Sequence, residues 1–220
     1  MKVLLGPRSG DLADLYAVPR TPWLRANMVS SVDGAAAGAD GRSGSINNAA
    51  DKLVFETLRG LADAVLVGAG TARTEGYGPA AVPVVVVSRR GEVPATLQGA
   101  EPGRVLLATC ASSPGLAAAR DLLGADQVLV CGDEQVDLAQ LRTRLVDRGL
   151  VSLLAEGGPS LLRDLLAAGV VDELCATVVP RLLAGAGPRM TVGAPLDVPL
   201  SLELLLEHDG TLLARWFTRS

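Results

Sequence analysis

Apolar residues along the chain follow two alternating rhythms. Short, almost unbroken apolar runs occupy residues 24–30, 64–67, 82–87, 104–108, 127–131, 151–155 and 174–179. Their length and Val/Leu content predict strands covered on both faces, as in a parallel sheet. Helical patterns lie between them, at 49–60, 114–123, 138–148 and 159–168. The first puts apolar residues at 50, 53, 54, 58 and 61, a single stripe along a helix. The second is predicted to open with Ser113 as cap and Pro114 behind it, stopping at Gly124. The third pairs Asp137 with Gln140 as a capping box and ends at Gly149. The fourth starts at Pro159, carries leucines at 161, 162, 165 and 166, and stops at Gly169.

The tail breaks this alternation. Residues 202–207 and 211–218 flank Asp209-Gly210, a strong hairpin signal. The expected fold is therefore α/β, with a mostly parallel central sheet, helices on both faces and a C-terminal antiparallel hairpin. No internal repeat or low-complexity linker divides the 220 residues, so one domain is expected. The Gly/Ala/Ser-rich stretch at 35–45 reads as a loop, either lying over a site or simply solvated.

Composition excludes several classes. Hydrophobic residues make up 49 % of the chain and aromatics only 3 %, so the core must be Val, Leu and Ala. Net charge is −4, and no basic cluster exceeds the pair Arg89-Arg90, so no nucleic-acid footprint is present. No apolar run approaches the roughly 20 residues a bilayer requires. The first residues lack the order of a secretory signal, and a cytoplasmic, non-membrane protein is expected. Cys110, Cys131 and Cys175 are scattered and odd in number, which gives neither a disulfide framework nor zinc spacing. With His208 the sole histidine, no metal site is expected.

Two turns carry the candidate chemistry. The 151–155 run stops at Glu156, two glycines follow, and Pro159 opens the next helix. That arrangement lets backbone approach a phosphate, which then faces the free N–H groups and positive end of the helix. Glycines of this kind also serve tight turns that bind nothing. A second turn, Gly68-Ala69-Gly70-Thr71, follows the 64–67 run. In a doubly wound sheet both would lie beyond the carboxyl ends of strands, where ligands bind, and they could share one crevice. The dinucleotide fingerprint is incomplete because position 73 is Arg, so a standard Rossmann NAD site is not expected. Ser88-Arg89-Arg90, after the 82–87 run, could hold the 2′-phosphate of NADP or form a solvated turn. Asn27 is polar within an apolar strand and needs a partner if buried. Arg59, at a helix end, is either a salt-bridged terminus or a phosphate clamp.

Five segments occur in order: Asn27-Met-Val-Ser-Ser-Val-Asp33-Gly34; Leu58-Arg59 with Asp63-Ala64-Val-Leu-Val-Gly68-Ala-Gly70-Thr71; Glu156-Gly157-Gly158-Pro159; Val171-Asp172-Glu173-Leu174; and Val179-Pro180-Arg-Leu-Leu-Ala-Gly185. Together, from about residue 22 onward, they resemble the pyrimidine reductases of riboflavin biosynthesis, in their stand-alone form. The resemblance implies a dihydrofolate reductase-like fold and an NADPH-dependent reduction, with hydride passing to C1′ of a phosphoribosylamino-pyrimidine to give a ribityl chain. It implies a cofactor site of Gly68, Gly70, Thr71, Gly157, Gly158, Ser160 and Leu161, with Ser88 and Arg89 near the adenosine end. Substrate would meet Asn27, Asp33, Ser43, Arg59, Glu75 and Glu156, with Asn27, Asp33 and Glu156 nearest the chemistry, Arg59 on its phosphate and Glu156 toward the ring. A cis Gly157–Gly158 peptide and a homodimer are further implications.

Three departures stand out. Bifunctional members carry Lys where this chain has Asn27. The family's acidic-acidic-proline is here Glu75-Gly76-Tyr77-Gly78-Pro79. The zinc deaminase motif is missing. A paralogue reducing another pyrimidine or a pterin, dihydrofolate included, and a non-catalytic NADPH-binding sensor stay open as alternatives.

Overall fold

The computed structural model describes residues 1–7 and 10–219. Ten strands form one sheet: β1 (Lys2–Leu5), β2 (Trp23–Ser31), β3 (Ala64–Gly68), β4 (Val84–Val87), β5 (Val105–Thr109), β6 (Val128–Val130), β7 (Ser152–Ala155), β8 (Glu173–Val179), β9 (Leu200–His208) and β10 (Thr211–Thr218). Their order is β1-β9-β10-β8-β2-β7-β3-β4-β5-β6. From β8 to β6 every pairing is parallel, and β10, β9 and β1 continue the sheet antiparallel. Asp209 and Gly210 both take positive φ (49° and 78°), the backbone a two-residue hairpin turn requires. The expected α/β architecture is the observed one.

Six α-helices accompany the sheet: α1 (Leu12–Leu15), α2 (Ala49–Gly60), α3 (Ala69–Glu75), α4 (Leu116–Leu123), α5 (Leu138–Asp147) and α6 (Pro159–Ala167). Period-two burial sorts them to opposite faces. Leu24, Ala26, Leu66, Leu153 and Ala155 meet Leu141, Leu145, Leu162 and Leu165 of α5 and α6. Val65 and Leu154 meet Val54 and Leu58 of α2. Val67, Val84, Val86 and Leu107 meet Ala72 of α3 and Ala119 of α4.

Several local expectations are corrected. Gly68-Ala69-Gly70-Thr71 is the start of α3, which spans only seven residues and whose Gly70, Thr71 and Thr74 are weak helix formers, so a pattern search misses it. Helix α4 is capped by Gly115, without a side-chain bond, while the Ser113 hydroxyl is buried and unpartnered. Half of the expected capping box on α5 forms. The Gln140 amide N–H bonds Asp137, but its side chain accepts from Gly132 N instead. Pro83 shortens the 82–87 strand to Val84–Val87, since proline has no N–H for the ladder.

An ion cluster locks the amino-terminal end of β2 and β8. The Glu173 carboxylate is fully buried and receives Arg25 Nε (3.0 Å), Arg215 Nε (2.9 Å) and Trp23 Nε1 (2.7 Å). The same guanidiniums donate to the carbonyls of Leu15, Tyr16 and Ala17, which fastens α1 to the sheet. Burial alone would raise the Glu173 carboxyl, but Arg25 and Arg215 outweigh it and hold it below its ordinary 4.5. Its contribution to stability is therefore present above that value and lost as pH falls through the depressed folded value. Glu173→Gln should cost about 3–5 kcal/mol at neutral pH, because two buried guanidiniums lose their carboxylate. In urea titrations the gap to wild type should narrow on acidification below pH 4.5; a gap constant with pH would show the cluster to be unimportant.

Candidate active site

The strands that end in the two glycine turns are neighbours, β7 beside β3. Glu156 N donates to Leu66 O and Gly68 N donates to Gly157 O, both at 2.9 Å. The two turns are thus joined by backbone hydrogen bonds into one crevice at the carboxyl edge of the sheet. Gly157 has φ +90°, and its Cβ would press on Met28 Sδ at 3.1 Å. A Cβ on Gly158 would collide with Thr71 Oγ1. The peptide between these glycines is cis. Helix α6 begins at Gly158 with Pro at its first position and no side-chain cap, so its N-terminal N–H groups are left to the crevice.

Two cavities flank the junction and share Gly70. The first, about 630 Å³, is walled by Asn27, Ser43, Asp51, Phe55, Arg59, Thr71, Glu75, Tyr77, Glu156 and Gly158, among others. The second, about 620 Å³, is walled by Gly68, Arg73, Ser88, Arg89, Arg90, Ser160, Leu161 and Arg163, among others. Asn27, Ser43, Arg59, Glu75 and Glu156 line the first cavity together with Thr71 and Gly158, while Gly68, Ser88, Arg89, Ser160 and Leu161 line the second.

Glu156 is the most constrained group. Its oxygens accept Arg59 Nε and Nη2, each at 2.6 Å, and the Tyr77 hydroxyl at 2.7 Å. The Arg59 guanidinium lies 4.4 Å from the Phe55 ring centre and 5.6 Å from that of Tyr77. Hydrogen bonding to Glu156 raises the Arg59 pKa, and burial followed by the Glu156 charge pushes the Tyr77 phenol up. The resemblance put Arg59 on a phosphate and Glu156 on a ring as separate groups. Here they form one bidentate pair.

Other expected residues sit differently. Asp33 is not among the residues lining either cavity. Its carboxylate accepts Ser31 Oγ, Leu183 N and Ala184 N, fastening the end of β2 to the segment after β8, and Ser31 foremost draws its pKa down to about 2. Gly157 lies behind the wall. Glu75 accepts Ser43 N at 2.7 Å, which ties the 35–45 loop to the first cavity. Ser88 is buried and its hydroxyl accepts Glu92 N. Arg73 and Arg90 both pair with Glu92, whereas Arg89 has no ion pair among the described residues.

Sequence reasoning missed Tyr77, Phe55, Asp51 and Arg73. Tyr77 lies in the departing 75–79 segment, where its hydrogen bond to Glu156 could have been suspected. Asp51 carries no signal, because an acidic residue in the first turn of a helix is ordinary.

Two glycine turns, a polar cavity and an arginine-lined neighbour thus meet at the carboxyl edge of one α/β sheet. The RibD C-terminal domain model matches residues 22–211, and the chain belongs to that family. It is 28 % identical over 171 residues to the 2,5-diamino-6-ribosylamino-4(3H)-pyrimidinone 5′-phosphate reductase of Archaeoglobus fulgidus, covering 69 % of this chain and 77 % of the relative. A pyrimidine reductase-like protein from Corynebacterium diphtheriae superimposes with TM-score 0.82 at 24 % identity, covering 96 % of this chain and all of that one. Dihydrofolate reductase from Enterococcus faecalis, complexed with NADP(H), shares the fold with TM-score 0.51 at 12 % identity, over 90 % of this chain and 98 % of that one.

The glycine contact makes a direct test. Gly158→Ala should lower unfolding stability by about 1–3 kcal/mol through the clash with Thr71. Adding Thr71→Ala should recover part of that loss in a double-mutant cycle. Additive losses would mean the two turns do not press on each other.

Proposed function

We propose that the chain is an NADPH-dependent reductase of a 5′-phosphoribosylamino-pyrimidine, converting its ribose to a ribityl chain in riboflavin biosynthesis. The shared junction carries the reading. Two cavities meet at Gly70, one suited to a polar ring and the other bordered by guanidiniums. The name of the archaeal relative supports the same reaction.

The residues fit the cofactor. Gly70, around which a Cβ would meet nothing within 4 Å, and the uncapped N-terminus of α6 leave room and free N–H groups for a backbone-close pyrophosphate. Arg89, which has no ion pair among the described residues, suits the extra phosphate of NADPH, with Arg73 and Arg90 held beside it by Glu92. Bound NADPH supplies the hydride. The protein's part is chiefly proximity and orientation: it sets the sugar against the cofactor across the Gly70 boundary. Glu156, neutralised by Arg59 and held by Tyr77, gives the substrate cavity a rigid polar wall rather than a free base. Asn27 and Glu75 supply further polar contacts. The same reading takes the enzyme as a cytoplasmic homodimer. Exposed Leu182, Val192 and Leu196 after β8 support an interface there, and three free cysteines suit a reducing compartment.

The purified protein should bind NADPH in preference to NADH and oxidise it when the diaminopyrimidinone ribosyl phosphate is added, followed at the nicotinamide absorbance. Binding without turnover would instead favour the sensor reading, and turnover of dihydrofolate alone a pterin paralogue. Arg59→Ala should reduce kcat/KM about 100-fold for phosphorylated and dephosphorylated substrates alike, since it strips the partner from Glu156. A loss confined to the phosphorylated substrate would return Arg59 to the phosphate.

A further inference from the structure

A third cavity, of about 560 Å³, lies at the amino edge of the sheet, at the far end of the strands from the crevice. Its walls include Trp23, Phe217, Leu166, Val171 and Val198. Trp23 opens β2, and Asn27 of the first cavity lies further along the same strand. No residue lining this cavity lines either cavity at the carboxyl edge, so the proposed reduction makes no use of it.

Aromatic side chains are scarce in this chain, two each of Trp, Tyr and Phe among 220 residues. Phe55 and Tyr77 line the first cavity, and Trp23 and Phe217 line this one. The second pair meets edge to face, with ring centres 5.1 Å apart at 68°. It stands apart from the apolar clusters that pack the helices on the sheet, which are chiefly valine, leucine and alanine. Trp23 Nε1 donates to Glu173 at 2.7 Å, which fixes the ring from behind. A preset aromatic floor with aliphatic sides, in a cavity of this size, suits a flat ring.

Charge then narrows the occupant. Arg20 lays its guanidinium over the Trp23 ring, 5.3 Å from the centre, while its side chain stays 67 % exposed. Arg219 stands on the same wall. The cavity's carboxylate, Asp172, accepts Arg142 at 2.6 Å, Arg20 at 3.3 Å and Leu24 N at 2.8 Å, so its charge is compensated within the protein. Two guanidiniums beside a compensated carboxylate attract an anion, although the chain as a whole carries −4. A guanidinium also stacks on a flat ring by its face while it bonds an oxyanion by its edge.

We propose that this cavity is a second ligand site, which takes a planar aromatic molecule bearing an anionic group. The ring lies against Trp23 and Phe217, and the anion meets Arg20 and Arg219. The site does not depend on which substrate the crevice turns over.

The chain's two tryptophans provide the readout, because Trp216 lines neither this cavity nor those at the carboxyl edge. Full-length protein labelled with nitrogen-15 is titrated with 1-naphthyl phosphate, with 1-naphthol and inorganic phosphate as controls, before and after saturation with NADP. The two indole N–H resonances are assigned with Trp216→Phe. Naphthyl phosphate should shift the Trp23 resonance saturably and leave Trp216 in place, with or without NADP. Each control should bind at least about tenfold more weakly, and Arg20→Ala should weaken naphthyl phosphate by about tenfold. Val198→Trp, which fills the cavity, should abolish the shift, and both variants should keep wild-type NADPH affinity. No Trp23 shift, displacement of the probe by NADP, or an affinity indifferent to Arg20→Ala overturns the site. Equal binding of 1-naphthol overturns the anionic assignment. Should Val198→Trp not fold, the exposed Arg20→Ala decides by itself.

Discussion

Everything in the site follows from β7 lying directly against β3. Two backbone hydrogen bonds, Glu156 N to Leu66 O and Gly68 N to Gly157 O, carry the ladder past the ends of both strands. That contact requires glycine on the β7 side, where Gly157 has φ +90° and a Cβ on Gly158 would strike Thr71 Oγ1. It also decides where the chain goes next: α6 and α3 start from one crevice, and Glu156 is left in the wall of the cavity on the other side of Gly70. A crossover sheet in which β7 returned elsewhere would separate these groups.

Two of the charged clusters lie at opposite ends of the sheet and serve differently. At the amino ends, Glu173 serves two arginines and clamps α1 in a site closed to solvent. At the carboxyl ends, Glu156 serves one arginine and one tyrosine, with the arginine partly open to the cavity. The first is a structural clasp. The second shapes a cavity wall and leaves Oδ1 of the neighbouring Asn27 and Asp51 without a partner.

The parallel core, the Asp209-Gly210 hairpin and both glycine turns were legible because unbroken valine and leucine runs, and glycine at turn positions, have few other uses. Strand β1 and helix α1 were not, since four residues each give no periodicity and their fixing partners, Leu206 and Arg215, lie about two hundred residues away. Helix α3 was read as a turn because Gly68 and Gly70 open it and it runs for only seven residues. In the site, residue types beside glycines were readable, but their partners were not. Nothing in the order of residues says that Arg59 reaches Glu156 rather than a phosphate, that Asp33 faces the backbone at 183–184, or that one oxygen of Asp51 is left without a partner. Those are facts of the tertiary fold.

In the proposed function, one crevice sets the nicotinamide against the sugar of a pyrimidine nucleotide. The most direct measurement is mass spectrometry of the product formed from NADPH deuterated at the nicotinamide C4 on the transferred face. A single deuterium at C1′ of a ribityl chain is the predicted result. An unlabelled ribityl product from both C4-deuterated epimers, or label on the ring instead, would contradict it.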